Sequence, residues 1–95
     1  MAFAQSIVGR TTLATVNSSA SSVTILAANI QRRQILVFNN STKNLHLAYG
    51  ATSSLTAFSI KLLPGGLFID SEGYTGIVSG IWAAVNGNAQ VTEVS

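Results

Sequence analysis

Gln34-Ile35-Leu36-Val37-Phe38-Asn39, followed after a short polar break by Asn44-Leu45-His46-Leu47-Ala48-Tyr49, is the stretch whose reading decides the fold. A strand sends successive side chains to opposite faces. In the first run both parities are apolar, with Ile35 and Val37 on one side and Leu36 and Phe38 on the other, which predicts a central strand covered on both faces. The second run alternates, with Leu45, Leu47 and Tyr49 inward and His46 outward. Between them, Asn39-Asn40-Ser41-Thr42 reads as a turn, because short polar side chains can bond to their own backbone.

The same period continues in both directions. Residues 10–16 form a first extended segment that ends in the Ser/Asn-rich residues 17–22. Residues 22–26 turn Val23 and Ile25 inward against Ser22 and Thr24, and residues 27–31 fit one helical turn capped by Asn29. On the other side, residues 50–55 are a Ser/Thr loop. Residues 56–62 place Phe58, Ile60 and Leu62 on one face and Ser59 and Lys61 on the other. Pro64-Gly65-Gly66 is the strongest turn signal, since proline presets φ and glycine accepts positive φ. Residues 67–69 make a short strand, and Asp70-Ser71-Glu72-Gly73 reads as an exposed acidic corner. Residues 77–85 form a further strand; a buried helix is the alternative, but the brevity of the run and Gly80 count against it. Asn86-Gly87 offers a hairpin turn, and residues 89–94 return. The expectation is an all-β fold, a small antiparallel sandwich or barrel of seven or eight short strands. It forms one domain over residues 1–95, with residues 1–9 as an extended N-terminal arm.

Charge sets the functional class. Charged residues make up 8% of the 95 and hydrophobic residues 47%. No Asp, Glu, Lys or Arg occurs between Arg10 and Arg32, between Lys43 and Lys61, or between Glu72 and Glu93. Small soluble domains carry roughly 25–35% charged residues on their surfaces and bury only about 60% of the surface their unfolded chains expose. Other protein is therefore expected to cover part of this chain. A net charge of +2, with Arg32-Arg33 the only basic pair, does not suit nucleic acid. No apolar run reaches the ~18 residues of a membrane span. The opening Met-Ala-Phe-Ala-Gln-Ser lacks a basic flank before an apolar core, which points away from a signal peptide.

The inventory for chemistry is thin. There is no cysteine, and His46 is the sole histidine beside Asp70, Glu72 and Glu93. A zinc site takes about four such ligands, so no metal or other cofactor is expected. His46 and Asp70 could orient a nucleophile, but no Ser or Thr is singled out by spacing. Asp70 and Glu72 share one turn and do not face each other across a cleft. The Pro64-Gly65-Gly66 turn lacks the Lys-Ser/Thr of a phosphate loop. The chain is expected not to be an enzyme. Its interface candidates are Phe3, Ile7 and Val8 on the arm, Arg32 and Arg33, the rings of Tyr49 and Tyr74, and Trp82. Trp82 shares a strand face with Val78, Gly80 and Ala84, so it is either a core anchor or an oligomer contact. Arg32 and Arg33 either reach a carboxylate of a partner or keep the start of an inner strand soluble.

Several segments carry a resemblance: Arg32-Arg33-Gln34 through Phe38-Asn39-Asn40-Ser41, Leu45-His46-Leu47-Ala48-Tyr49-Gly50, and Lys61-Leu62-Leu63-Pro64-Gly65-Gly66. To these are added Tyr74-Thr75-Gly76, Val78-Ser79-Gly80-Ile81-Trp82 and Gly87-Asn88-Ala89-Gln90-Val91-Thr92-Glu93. Together, over roughly residues 22–94, the chain resembles small β-rich bacteriophage virion proteins of the capsid decoration (cement) or head–tail accessory type. The resemblance implies a structural role in the virion after synthesis in the host cytoplasm. The implied partners are the major capsid protein or other virion proteins and further copies of the chain, a trimer among the orders considered. It carries over no functional residues. A neck, tail or fibre-base component is the first alternative. A carbohydrate- or host-surface-binding β module, stacking sugars on Tyr49, Tyr74 or Trp82, is the second.

Overall fold

The computed structural model describes residues 10–95, so the expected arm and its Phe3, Ile7 and Val8 lie outside the described residues. Eight strands follow one another: β1 (Thr11–Asn17), β2 (Val23–Leu26), β3 (Gln34–Asn40), β4 (Leu45–Tyr49), β5 (Ile60–Leu62), β6 (Leu67–Asp70), β7 (Val78–Trp82) and β8 (Asn88–Val94). Each pairs antiparallel with the strand counted equally far from the other end: β1 with β8, β2 with β7, β3 with β6, and β4 with β5. The pairings β3–β8 and β4–β7 then roll this long ribbon into two four-stranded sheets, β1-β8-β3-β6 and β2-β7-β4-β5. That is the connection pattern of a jelly roll, one of the double-sheet solutions open to an antiparallel chain. The fold is a sandwich, and of the two expected architectures the barrel is set aside.

The core lies between the sheets and follows the period of two. Ile35 and Val37 of β3, with Ala89 and Val91 of β8, meet Leu45 and Leu47 of β4, Val78 and Trp82 of β7, Ile25 of β2 and Leu62 of β5. Gly80 sits among them for lack of room: a Cβ there would come within 2.9 Å of Ile25 and 3.1 Å of Leu45. Leu63-Pro64-Gly65-Gly66 closes as a turn with Gly66 N–H bonded to the Leu63 carbonyl at 2.8 Å and Gly65 at φ 77°, the type II geometry that proline and glycine favour.

Four local expectations are corrected. Residues 27–31 form no helical turn; Arg32 N–H bonds to the Asn29 carbonyl and Gln31 N–H to Asn29 Oδ1, a tight turn held by the asparagine side chain. Only Ile60–Leu62 of residues 56–62 joins a sheet, and Phe58 swings onto the opposite face to pack on His46. Gly87 has φ 67° as a turn glycine should, yet β7 and β8 belong to different sheets, so residues 83–87 bridge the sandwich and close no hairpin. Asp70 is buried at the end of β6 and is no exposed corner; its carboxylate accepts the Tyr49 hydroxyl and the Glu72 N–H.

Polar side chains close both ends of β3. At one end the Arg32 guanidinium is ion-paired with Glu93 at 2.8 Å and donates to the carbonyls of Ala27, Tyr74 and Gly76. At the other, buried Asn39 donates its amide to the carbonyls of Lys43, Leu62 and Leu63 and accepts from Ser41 and Trp82.

Candidate protein-interaction face

The outer faces of the two sheets differ. On β2-β7-β4-β5, residues 50–59 fold back over the strands. Ser53 N–H bonds to Ser22 Oγ, Ser59 N–H to the Leu47 carbonyl, and the Phe58 ring stands edge-on to His46 with centroids 4.6 Å apart. His46, Ala48 and Ser79 are buried as a result. His46 does point outward, as its parity requires, but it is covered and not exposed. Its Nδ1, Ser53 Oγ and Ser79 Oγ have no hydrogen-bond partner among the described residues.

Covering His46 lowers its pKa below the ordinary 6.5, chiefly through lost solvation and then through the positive charge of Lys61, directly opposite on β5. The unfolded chain therefore takes up a proton first as the solution is acidified. Stability is full above the unfolded value and falls as pH drops through about 6.5, by up to about 1.4 kcal/mol per pH unit. Denaturant midpoints measured from about pH 7.5 to about pH 5 are expected to fall for the wild type and to flatten for His46→Gln.

The outer face of β1-β8-β3-β6 has no such cover among the described residues. The registers arrange it in four rows across the strands. The first is Thr11–Val94–Gln34; the second is Leu13–Thr92–Leu36–Ile69. The third is Thr15–Gln90–Phe38–Leu67, and the last is a row of amides, Asn17–Asn88–Asn40. No row contains an ionisable residue. Leu13 is 77% exposed, Leu67 and Ile69 each 52%, and Phe38 38%. The expectation that β3 is covered on both faces is corrected here: its second apolar parity, Leu36 and Phe38, faces outward. The polar side chains of the last two rows are tied together, with Asn40 and Gln90 donating to Asn88 Oδ1 and Thr15 to Gln90 Oε1. With strands ~4.8 Å apart and same-face residues ~6.8 Å apart, the face covers about 500 Å². That is more than half of one side of a standard specific interface, ~800 Å².

The other candidate residues are dispersed. Arg32 and Trp82 are inside the chain, 3% and 0% exposed, and present no surface; Trp82 is a core anchor. Arg33, next to Arg32, is exposed. Tyr49 and Tyr74 do come together, stacked at 4.2 Å and 14°, beside Asp70. Their polar groups are already engaged: the Tyr49 hydroxyl donates to Asp70 and that of Tyr74 to the Ile77 carbonyl. Burial, then the bond to Asp70, pushes the Tyr49 phenol well above its ordinary value. No group of three or more metal-ligating side chains occurs among the described residues, and no helix among them is long and apolar enough to cross a membrane. Of this face, the sequence alone shows Leu36 and Phe38 as a second apolar parity and the charge-free stretches that supply half of its positions. What was missing was the register that sets Leu13, Leu36 and Ile69 in one row. Comparison with protein-family models, with curated proteins and with solved structures returned no match to this chain.

Proposed function

We propose that this chain is a structural protein of a bacteriophage particle, a decoration protein that seats the outer face of β1-β8-β3-β6 across joints between shell subunits. The observation that carries the reading is the four-row face, which lacks any charge and exposes Leu13, Phe38, Leu67 and Ile69. A decoration protein works by contact area: separating two shell subunits then requires peeling it from one of them. An interface without charges avoids the desolvation penalty of burying ions, and many copies on one particle turn a modest contact into firm retention. The sequence resemblance supports the same reading. The jelly-roll pattern is neutral between candidates, since it serves viral shells and lectins alike. The shell is preferred over the neck, tail or a fibre base because the face spans all four strands of its sheet, a breadth suited to a tiled surface. The carbohydrate reading is not preferred, because the Tyr49–Tyr74 stack has its hydroxyls engaged within the chain.

Leu67→Lys together with Ile69→Lys places two charges on exposed positions of the edge strand β6, so folding is expected to survive. Co-sedimentation with intact particles is expected to weaken at least tenfold, the loss of about 1.4 kcal/mol per particle contact. Undiminished binding by the folded double variant would overturn the reading. Particle imaging that finds the chain only at the neck or tail would move it to that alternative.

A further inference from the structure

The two sheets have four edges, and a free edge is a template for another strand unless something blunts it. Three are blunted. β5 has only three residues, with Lys61 in the middle. β2 has four, and its register slips between Thr24 and Leu26. β6 has four, follows the Pro64 turn and ends on Asp70. β1 has none of these devices. It is seven residues, Thr-Thr-Leu-Ala-Thr-Val-Asn, without charge, proline or glycine, and it pairs with β8 without a break from Thr11 to Asn17.

Its free backbone groups can be identified. Arg10 and Ser95 exchange both amide hydrogen bonds, at 3.2 and 2.8 Å, and Ser18 N–H reaches the Gly87 carbonyl at 3.1 Å. The period of two therefore points the N–H and C=O of Thr12, Ala14 and Val16 at β8. Those of Thr11, Leu13, Thr15 and Asn17 point at the open edge, where no other described strand lies. β1 also overhangs the sandwich: Thr12 and Ala14 lie on the inner side by register, yet both are exposed.

We propose that a second copy of this chain occupies that edge, its β1 pairing antiparallel with the first about a two-fold axis through Ala14. This register sets Thr11 opposite Asn17 of the second copy and Leu13 opposite its Thr15. Outward-pointing amides then meet outward-pointing carbonyls all along the strand. Two identical strands tolerate each other here because neither carries a charge to repel its own copy. The overhang keeps the bodies of the two sandwiches from colliding. The result is one eight-stranded sheet whose uncharged outer face doubles to about 1,000 Å², above the ~800 Å² that each partner gives to a standard specific interface. The pairing concerns the chain alone and stands or falls separately from its place on a particle.

The test is the mass in solution of the purified full chain, by analytical ultracentrifugation over a range of concentrations. The expected result is a dimer of the 9.9 kDa chain. Leu13→Pro removes an outward N–H while leaving the β8 ladder intact, and proline is tolerated on edges of this kind. Dimer dissociation constants are expected to rise at least tenfold. Leu13→Lys with Thr15→Lys sets like charges face to face across the axis and should give monomers. Leu13→Lys with Thr15→Glu sets opposite charges there and should remain dimeric, a pattern that only this register produces. If Leu13→Pro fails to fold, the two charge pairs decide the matter. Phe3→Ser, Ile7→Ser and Val8→Ser combined should leave the dimer intact; its loss would assign the edge to residues 1–9 and overturn the proposal. A wild-type monomer, a trimer, or a dimer indifferent to both charge pairs would also overturn it.

Discussion

Arg32→Ala is expected to lower the unfolding free energy by about 3–5 kcal/mol, the range for removing one partner of a buried ion pair. The side chain is 0% exposed and ties three distant parts of the chain. Its Nε holds Glu93 of β8 at 2.8 Å, its Nη1 holds Tyr74 and Gly76 in the β6–β7 connection at 3.0 and 2.9 Å, and its Nη2 holds Ala27 after β2. Alanine would leave three carbonyls and a carboxylate without their donor where water enters poorly, and such orphaned groups carry their full desolvation penalty. A domain of this size has only about 5–15 kcal/mol in total, so the loss corresponds to a Tm lower by roughly 12–40 °C. Arg32→Lys keeps the charge but not the planar fork that serves four acceptors, and is expected to fall between. Urea denaturation with an unchanged m-value measures both. A loss below about 1 kcal/mol for alanine would show that the network is incidental.

Trp82→Ala is the other large effect, expected at about 3–5 kcal/mol. The indole is wholly buried, pairs across β4 with Leu45, and donates its Nε1–H to Asn39 Oδ1 at 3.3 Å. Alanine would empty the space between the sheets and take one donor from the asparagine that gathers the Lys43, Leu62 and Leu63 carbonyls. Trp82→Phe keeps most of the ring and loses the bond. Asn39 Oδ1 still accepts from Ser41 at 2.8 Å, so about 1–2 kcal/mol is expected. Circular dichroism through a denaturant titration reads both variants without relying on the lost fluorophore. If Trp82→Ala left stability unchanged, its role as a core anchor would be refuted.

Strand period made much of this legible in advance. Ile35 and Val37, Leu45 and Leu47, Val78 and Trp82 all point inward as alternation requires, because a strand has only two sides and the apolar residues choose one. The Pro64-Gly65 turn was equally local. Phe58 was misplaced because a Ser/Thr-rich loop gives no sign of where it crosses. Asp70 was misplaced because its partner, Tyr49, is 21 positions away. For Arg32 the sequence leaves a partner's carboxylate and a solubilising role both open, because Glu93, 61 positions on, meets it only once β3 lies beside β8. The candidate face was half visible: the charge-free stretches promised a contact surface, but Leu36 and Phe38 looked like a second core.

The sequence by itself determined seven or eight short antiparallel strands, the inward parity of the central ones, and the scarcity of charge. Tertiary structure alone decided which sides are covered. Alternation says which way a side chain points and says nothing of what stands in front of it. Residues 50–59 stand in front of His46, whereas no described residue stands in front of Phe38, and among the described residues β1 is left on an open edge because the ribbon rolls with its first strand outermost.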